Sequence, residues 1–217
     1  SPRPASWPVP APLCYGRPVE ASRIFPLESM TDLLEMVPRP DSDEGWSVDV
    51  DGARLARELK AMGIRRIGLL PADDRVDVLS VARTLGRALS VLTETLVLVL
   101  DIDRKLAPEP ERAAQHPGSA VLDAGVAALL PASVPGPGEK ASTIAALLDR
   151  ASDPPDCVGR VIVDLSSCVR PGELLGSLAL VDGVIIVGKS AVCREDAVLA
   201  TIRRVPPEKS LGVLLIE

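Results

Sequence analysis

Three aspartates stand where apolar runs end: Asp101 and Asp103 follow residues 95–100 (TLVLVL), and Asp164 follows residues 160–163 (RVIV). Carboxylates at the carboxyl ends of buried strands occupy the sheet edge at which α/β proteins bind ligands, and their oxygens suit a hard cation such as magnesium. The plainer alternative is a loop position making turn or cap hydrogen bonds. A further stretch, Pro71-Ala72-Asp73-Asp74-Arg75-Val76-Asp77-Val78-Leu79-Ser80, connects an apolar run to a helical pattern. A loop in that position can wrap phosphate oxygens with backbone N–H groups, provided that glycines allow close approach and a lysine offsets the charge.

The remaining reactive side chains carry weaker signals. Lys189 follows residues 184–187 (VIIV), where a ligand-facing residue can lie, but a lysine there is ordinarily solvated. His116, the single histidine, sits in a proline-rich loop and reads as a surface residue. Cys168 and Cys193 lie near Arg170 and Arg194, cations able to lower a thiol pKa, yet no base for nucleophilic catalysis is evident beside either. With Cys14 and Cys157 they form no CxxC pair, which argues against a zinc ribbon and favours reduced thiols.

The elements that must position these groups alternate regularly after Trp46. Residues 51–62 read as a helix ending at Gly63, 66–70 (RIGLL) as a buried strand, and 77–92 as an Ala/Leu/Arg helix. Strands follow at 95–100 and 126–130, then a Pro/Gly loop over 131–138 and a helix over 142–150. Strand 160–163, helix 171–180, strand 184–187, helix 194–204 and strand 211–216 (LGVLLI) complete the series. Strands that are apolar throughout are buried on both faces, so a three-layer α/β/α fold with a mostly parallel sheet is expected. Residues 1–45 read as a Pro-rich N-terminal arm with a short helix over 27–37, and residues 46–217 as the folded domain. All four aromatics, Trp7, Tyr15, Phe25 and Trp46, fall in the first fifty residues, as in a tail whose rings dock on a core or a partner.

The 217 residues carry 24 Lys+Arg against 30 Asp+Glu, a formal charge of -6, and 47% are hydrophobic, which suits one globular domain. No run approaches the roughly 20 apolar residues that cross a bilayer, so a soluble chain without direct membrane insertion is expected. The opening residues lack the apolar segment of an export signal. Net acidity, the lack of a Lys/Arg run and the lack of aromatics after Trp46 argue against a nucleic-acid surface, which needs cations and stacking rings.

Taken in order, residues 55–217 resemble the P-loop ATPases of the MinD/ParA type, most closely the cytoplasmic bacterial tyrosine kinases that partner polysaccharide co-polymerases in capsule and exopolysaccharide export. The most specific segment is Leu180-Val181-Asp182-Gly183-Val184-Ile185-Ile186-Val187, which looks like the family's phrase before the strand that follows the Walker B region. Val161-Ile162-Val163-Asp164-Leu165-Ser166-Ser167 is similar to its Walker B strand and turn, and Leu98-Val99-Leu100-Asp101-Ile102-Asp103 to its additional Asp-x-Asp motif. Ala128-Leu129-Leu130-Pro131-Ala132 is similar to its Leu-Pro-Ala-Gly turn, with Ser133 in place of the glycine.

The phosphate loop departs from the family's G-x-x-x-x-G-K-[ST]. Aligned through the following helix, Val78 takes the place of the lysine, Leu79 that of the metal-binding Ser/Thr, and Arg75 and Asp77 those of glycines. Asp73, Asp74 and Asp77 add up to three negative charges where polyphosphate would lie, each close like-charge contact costing on the order of 1–4 kcal/mol. Family kinases autophosphorylate a C-terminal tyrosine cluster, whereas this sequence has one tyrosine, Tyr15, in the arm. The resemblance therefore implies a pseudo-ATPase or pseudo-kinase with no catalytic residue, cofactor or metal. It implies a cytoplasmic accessory of envelope polysaccharide (capsule, exopolysaccharide or adhesin) synthesis and export, recruited to the inner membrane by a co-polymerase or related export subunit, with a homo-oligomer as a further option. Two alternatives stay open: an active ATPase or tyrosine kinase with an atypical loop that uses Asp101, Asp103 and Asp164, and a MinD/ParA-like positioning or assembly protein.

Overall fold

The computed structural model describes residues 24–26, 50–105, 118–152, 158–168, 170–190 and 192–216. Its helices are α1 (Val50–Ala61), α2 (Val78–Thr93), α3 (Lys140–Ala151), α4 (Pro171–Leu178) and α5 (Glu195–Ile202). Its strands are β1 (Ile24–Pro26), β2 (Arg66–Pro71), β3 (Leu96–Leu100), β4 (Gly118–Asp123), β5 (Val126–Leu130), β6 (Val158–Asp164), β7 (Gly183–Lys189) and β8 (Ser210–Ile216). Among the described residues these strands form one sheet in the order β1-β4-β5-β3-β6-β2-β7-β8. From β5 through β8 the pairings are parallel, while β4 joins β5 and β1 joins β4 antiparallel.

The sheet divides the core into two apolar clusters. One contains Ala56 and Leu59 of α1 and the buried stripe of α2, which recurs at helical spacing through Val78, Ala82, Leu85 and Leu89. The other contains Ile144 and Leu148 of α3 and Leu174 and Leu178 of α4, with Val198 and Ile202 of α5 packed against it. Both β3 and β5 are buried along their whole length, as runs of Leu, Val and Ala between two helical layers should be. The expected α/β/α architecture is thus present.

Two features depart from the sequence expectations. β4 and β1 are additional strands. β4 forms a hairpin with β5 in which Asp123 pairs with Val126 and Gly125 supplies a left-handed φ of 70°. Gly118, Ser119 and Ala120 give β4 little β-branched character, and three residues are too few for β1 to show a period. β1 lies within the Pro-rich arm and pairs with β4; the rest of that arm, including the helix expected over 27–37, falls outside the described residues. The second departure is β8, which is not buried on both faces: it pairs only with β7 among the described strands, and its Val213 and Leu215 are exposed.

Candidate functional site

Adjacent parallel strands β2 and β6 lead to helices in opposite layers, α2 and α4, so a crevice opens beyond their carboxyl ends. Leu69 of β2 is level with Asp164, the last residue of β6, and Leu100 of β3 is level with Val163, which places Asp101 and Asp164 at matching positions on neighbouring strands. Asp101 and Asp164 are buried and Asp103 is partly exposed. The fold therefore brings the three aspartates and residues 71–80 to one sheet edge, as the sequence implied.

The loop is built as a closed turn. Ala72 N–H donates to Val187 O (2.8 Å), Val76 N–H to Asp73 O (3.1 Å) and Val78 N–H to Val76 O (3.1 Å). Arg75 N–H donates to Asp73 Oδ1 (3.0 Å), and Ser80 N–H to Asp77 Oδ1 (3.3 Å), which makes Asp77 the N-cap of α2. Five amides of this segment thus have partners inside the protein. Val78 is 2% and Leu79 8% exposed, both packed in the core under α2, with Val76 buried beside them.

Arg75 grips Asp73 through Nε to Oδ1 and Nη2 to Oδ2, each 2.9 Å. These hydrogen bonds hold the Asp73 carboxyl far below the ordinary carboxylate range and push the Arg75 guanidinium up. The loop's negative charge is therefore lower than a count of its aspartates suggests: Asp73 is neutralised within the loop, and Asp77 is engaged with the positive end of a helix.

Across the crevice, Asp164 Oδ1 accepts from Ser166 N–H (2.8 Å) and from the Ser166 hydroxyl, while Asp164 Oδ2 accepts from Lys105 Nζ (3.2 Å). Lys105 Nζ also lies 3.6 Å from Asp103 Oδ2. Desolvation works against the Lys105 ammonium, but the attraction of Asp164, its hydrogen bond, and the charges of Asp103 and Asp101 outweigh it, so its pKa stands above the ordinary lysine value. Arg104, at φ 56°, reverses the chain just before Lys105 and donates from Nη1 to Pro131 O (2.8 Å) and to Ala132 O. Lys140 of α3 donates to Ser167 O and ties down the turn after β6.

Lys105, Arg104 and Lys140 were not singled out by sequence, because a loop lysine shows no period and its partner Asp164 is 59 positions away. Lys189 ends β7 half-buried, and its N–H donates to Cys193 Sγ (3.2 Å). The expectation that Arg170 could lower the Cys168 thiol pKa is overturned: Cys168 is fully buried, and burial pushes its pKa up. His116, Cys14, Cys157, Trp7, Tyr15 and Trp46 lie outside the described residues, as does the side chain of Phe25. Among the described residues, no group of three or more His, Cys, Asp or Glu side chains is placed to hold a metal ion. No described helix is long and apolar enough to cross a membrane.

No protein-family model and no curated protein sequence matches this chain. Among solved structures it is similar to the BceF tyrosine kinase domain, with a TM-score of 0.52 and 14% identity over 76% of this chain and 73% of that one. A second similar structure, the Zn(II)-bound YjiA GTPase from E. coli, has a TM-score of 0.35 and 12% identity over 70% of this chain and 57% of that one. At such identity the first likeness establishes a shared fold, P-loop NTPase-like, and leaves function to the site.

Proposed function

We propose that this chain is a non-catalytic relative of the kinase-type P-loop ATPases that keeps the α/β/α sheet as a protein-binding scaffold. The observation that carries the reading is the phosphate loop. Five of its amides are bonded within the protein, and Val78 and Leu79, at the lysine and Ser/Thr positions, are buried in the core. A phosphate cradle needs free N–H groups and a cation, and this turn engages five of its amides internally and places buried Val78 where the cation would stand. The competing reading, an active enzyme with an atypical loop, draws on the three aspartates gathered at the edge. Calorimetry and thermal melting with millimolar Mg-ATP separate the two. A ligand at 100 times its dissociation constant stabilises a fold by about 2.7 kcal/mol, so binding would be visible. No shift is expected; a clear upward shift that Asp164→Ala abolishes overturns the non-catalytic reading.

The proposed setting is the cytoplasmic side of an envelope polysaccharide export machine, with a membrane co-polymerase or related subunit as partner. This rests on the sequence resemblance and on the fold shared with a tyrosine kinase domain. The arm's Trp7 and Tyr15 are candidate anchors, since aromatic side chains bury much area at small entropic cost. Deleting residues 1–22 leaves β1 in place; pull-down of the co-polymerase should then fall while the melting temperature holds. Retained association would move the contact to the α/β domain, and no association of the full chain with any co-polymerase encoded beside it would overturn the proposed setting.

A further inference from the structure

We propose that Lys105 is the built-in cation of this sheet edge: its ammonium holds the space between Asp103 and Asp164 that a divalent ion would have to enter, and so keeps the chain from taking one. The Asp164 side chain is 2% exposed and that of Lys105 45%, so the carboxylate lies in the interior and the ammonium reaches it from the solvent side. An ionised carboxylate at that depth needs a counter-charge and hydrogen bonds. Ser166 serves Oδ1 with two donors and Lys105 serves Oδ2, which accounts for both oxygens. Magnesium demands carboxylate oxygens at about 2.0–2.1 Å and brings several waters of its own. An ammonium 3.2 Å from Asp164 and 3.6 Å from Asp103 stands in that volume and repels a second cation.

The backbone delivers Lys105 to this position. Arg104 turns the chain in the left-handed region and anchors its guanidinium on the carbonyls of Pro131 and Ala132, at the end of β5. The ammonium is thus held by a fastened loop. The inference deepens the non-catalytic reading and rests on it for its consequence, but its test reads cation binding with no nucleotide present, so either can fail alone.

The probe is Mn²⁺, followed by its paramagnetic resonance in the full chain. Wild type and Lys105→Arg should show no saturable site below millimolar concentration. Lys105→Met, similar in volume and uncharged, should bind at least about tenfold more tightly, equivalent to about 1.4 kcal/mol, and adding Asp164→Asn should remove the gain. Micromolar binding by wild type, or a folded Lys105→Met that gains nothing, overturns the proposal. Should Lys105→Met fail to fold, the double variant decides: a cooperative melt restored by Asp164→Asn supports the pairing, and a double variant that stays unfolded overturns it. Mg-ATP melting, run separately, addresses the non-catalytic reading.

Discussion

Asp182 Oδ2 accepts the backbone N–H groups of both Arg65 (2.9 Å) and Arg66 (2.8 Å), residues more than a hundred positions earlier in the chain. Asp182 N–H in turn donates to Arg66 O at 2.8 Å. These bonds fasten the turn before β7 to the start of β2 and set the register in which Ile67 lies beside Gly183. Asp182 belongs to the segment with the strongest family likeness, and its work here is structural: it aligns β7 with β2, one of the two strands whose carboxyl ends flank the crevice.

Asp182→Ala should accordingly destabilise the fold. Hydrogen bonds to a charged acceptor contribute about 1.5–3 kcal/mol, and the exposure of Asp182 lets water replace part of that, so a loss of about 1–2 kcal/mol is expected. Asp182→Asn, which keeps an acceptor oxygen, should lose less. Urea unfolding measures both, with an unchanged denaturant slope if the native compactness is kept. Equal stability of Asp182→Ala and wild type would remove this account of the register.

The cap on α2 gives a second expectation. Asp77→Ala removes the acceptor for Ser80 N–H and a carboxylate at the positive helix end, for a cost of about 0.5–2 kcal/mol. Asp77→Ser, another good cap, should recover most of it. If Asp77→Ala is neutral in chemical denaturation, the loop's aspartate has some task other than capping.

Much of this was legible in the chain. Runs such as Val126–Leu130 and the TLVLVL stretch read as strands because only a two-sided core tolerates them, and that reasoning also placed Asp101, Asp103 and Asp164 at one edge. What could not be read depends on tertiary proximity. The exposed β8 carries the same apolar composition as the buried strands, so its edge position leaves no mark in composition. The Lys105–Asp164 pair joins a loop lysine to the last residue of β6, 59 positions further on. The internal neutralisation of Asp73 depends on a neighbour only two residues away, Arg75, but a sum of the loop's carboxylate charges carries no information about that pairing.

Cys168 supplies an expectation about pH. Burial raises its pKa above the usual thiol value of about 9, so the folded protein holds that proton more tightly than the unfolded chain. The associated stability is fully present below the unfolded thiol pKa and is lost as pH rises through the folded value. Cys168→Ser should therefore flatten the alkaline limb of the stability profile. In native protein at pH 8, iodoacetamide should modify half-buried Cys193 well before Cys168, with peptide mass spectrometry as the readout. Labelling of Cys168 at the rate of Cys193 would show that the edge between β6 and α4 opens readily.

Placing a lysine at Val78 tests the proposed degeneracy of the phosphate loop directly. Val78 sits at the first position of α2 with its side chain in the core, packed in the same apolar cluster as Val76 and Leu79. Val78→Lys would either bury an ammonium without a partner, at a cost of several kcal/mol, or turn the helix start outward and empty the volume that Val78 fills, at about 1–3 kcal/mol. The backbone amides beside it would remain bound to Asp73, Val76 and Asp77. The expected outcome is a variant with a clearly lowered melting temperature and no Mg-ATP response. A stable Val78→Lys that binds or hydrolyses ATP would mean that one substitution separates this site from a working one, and the loop would then have to reopen around the nucleotide.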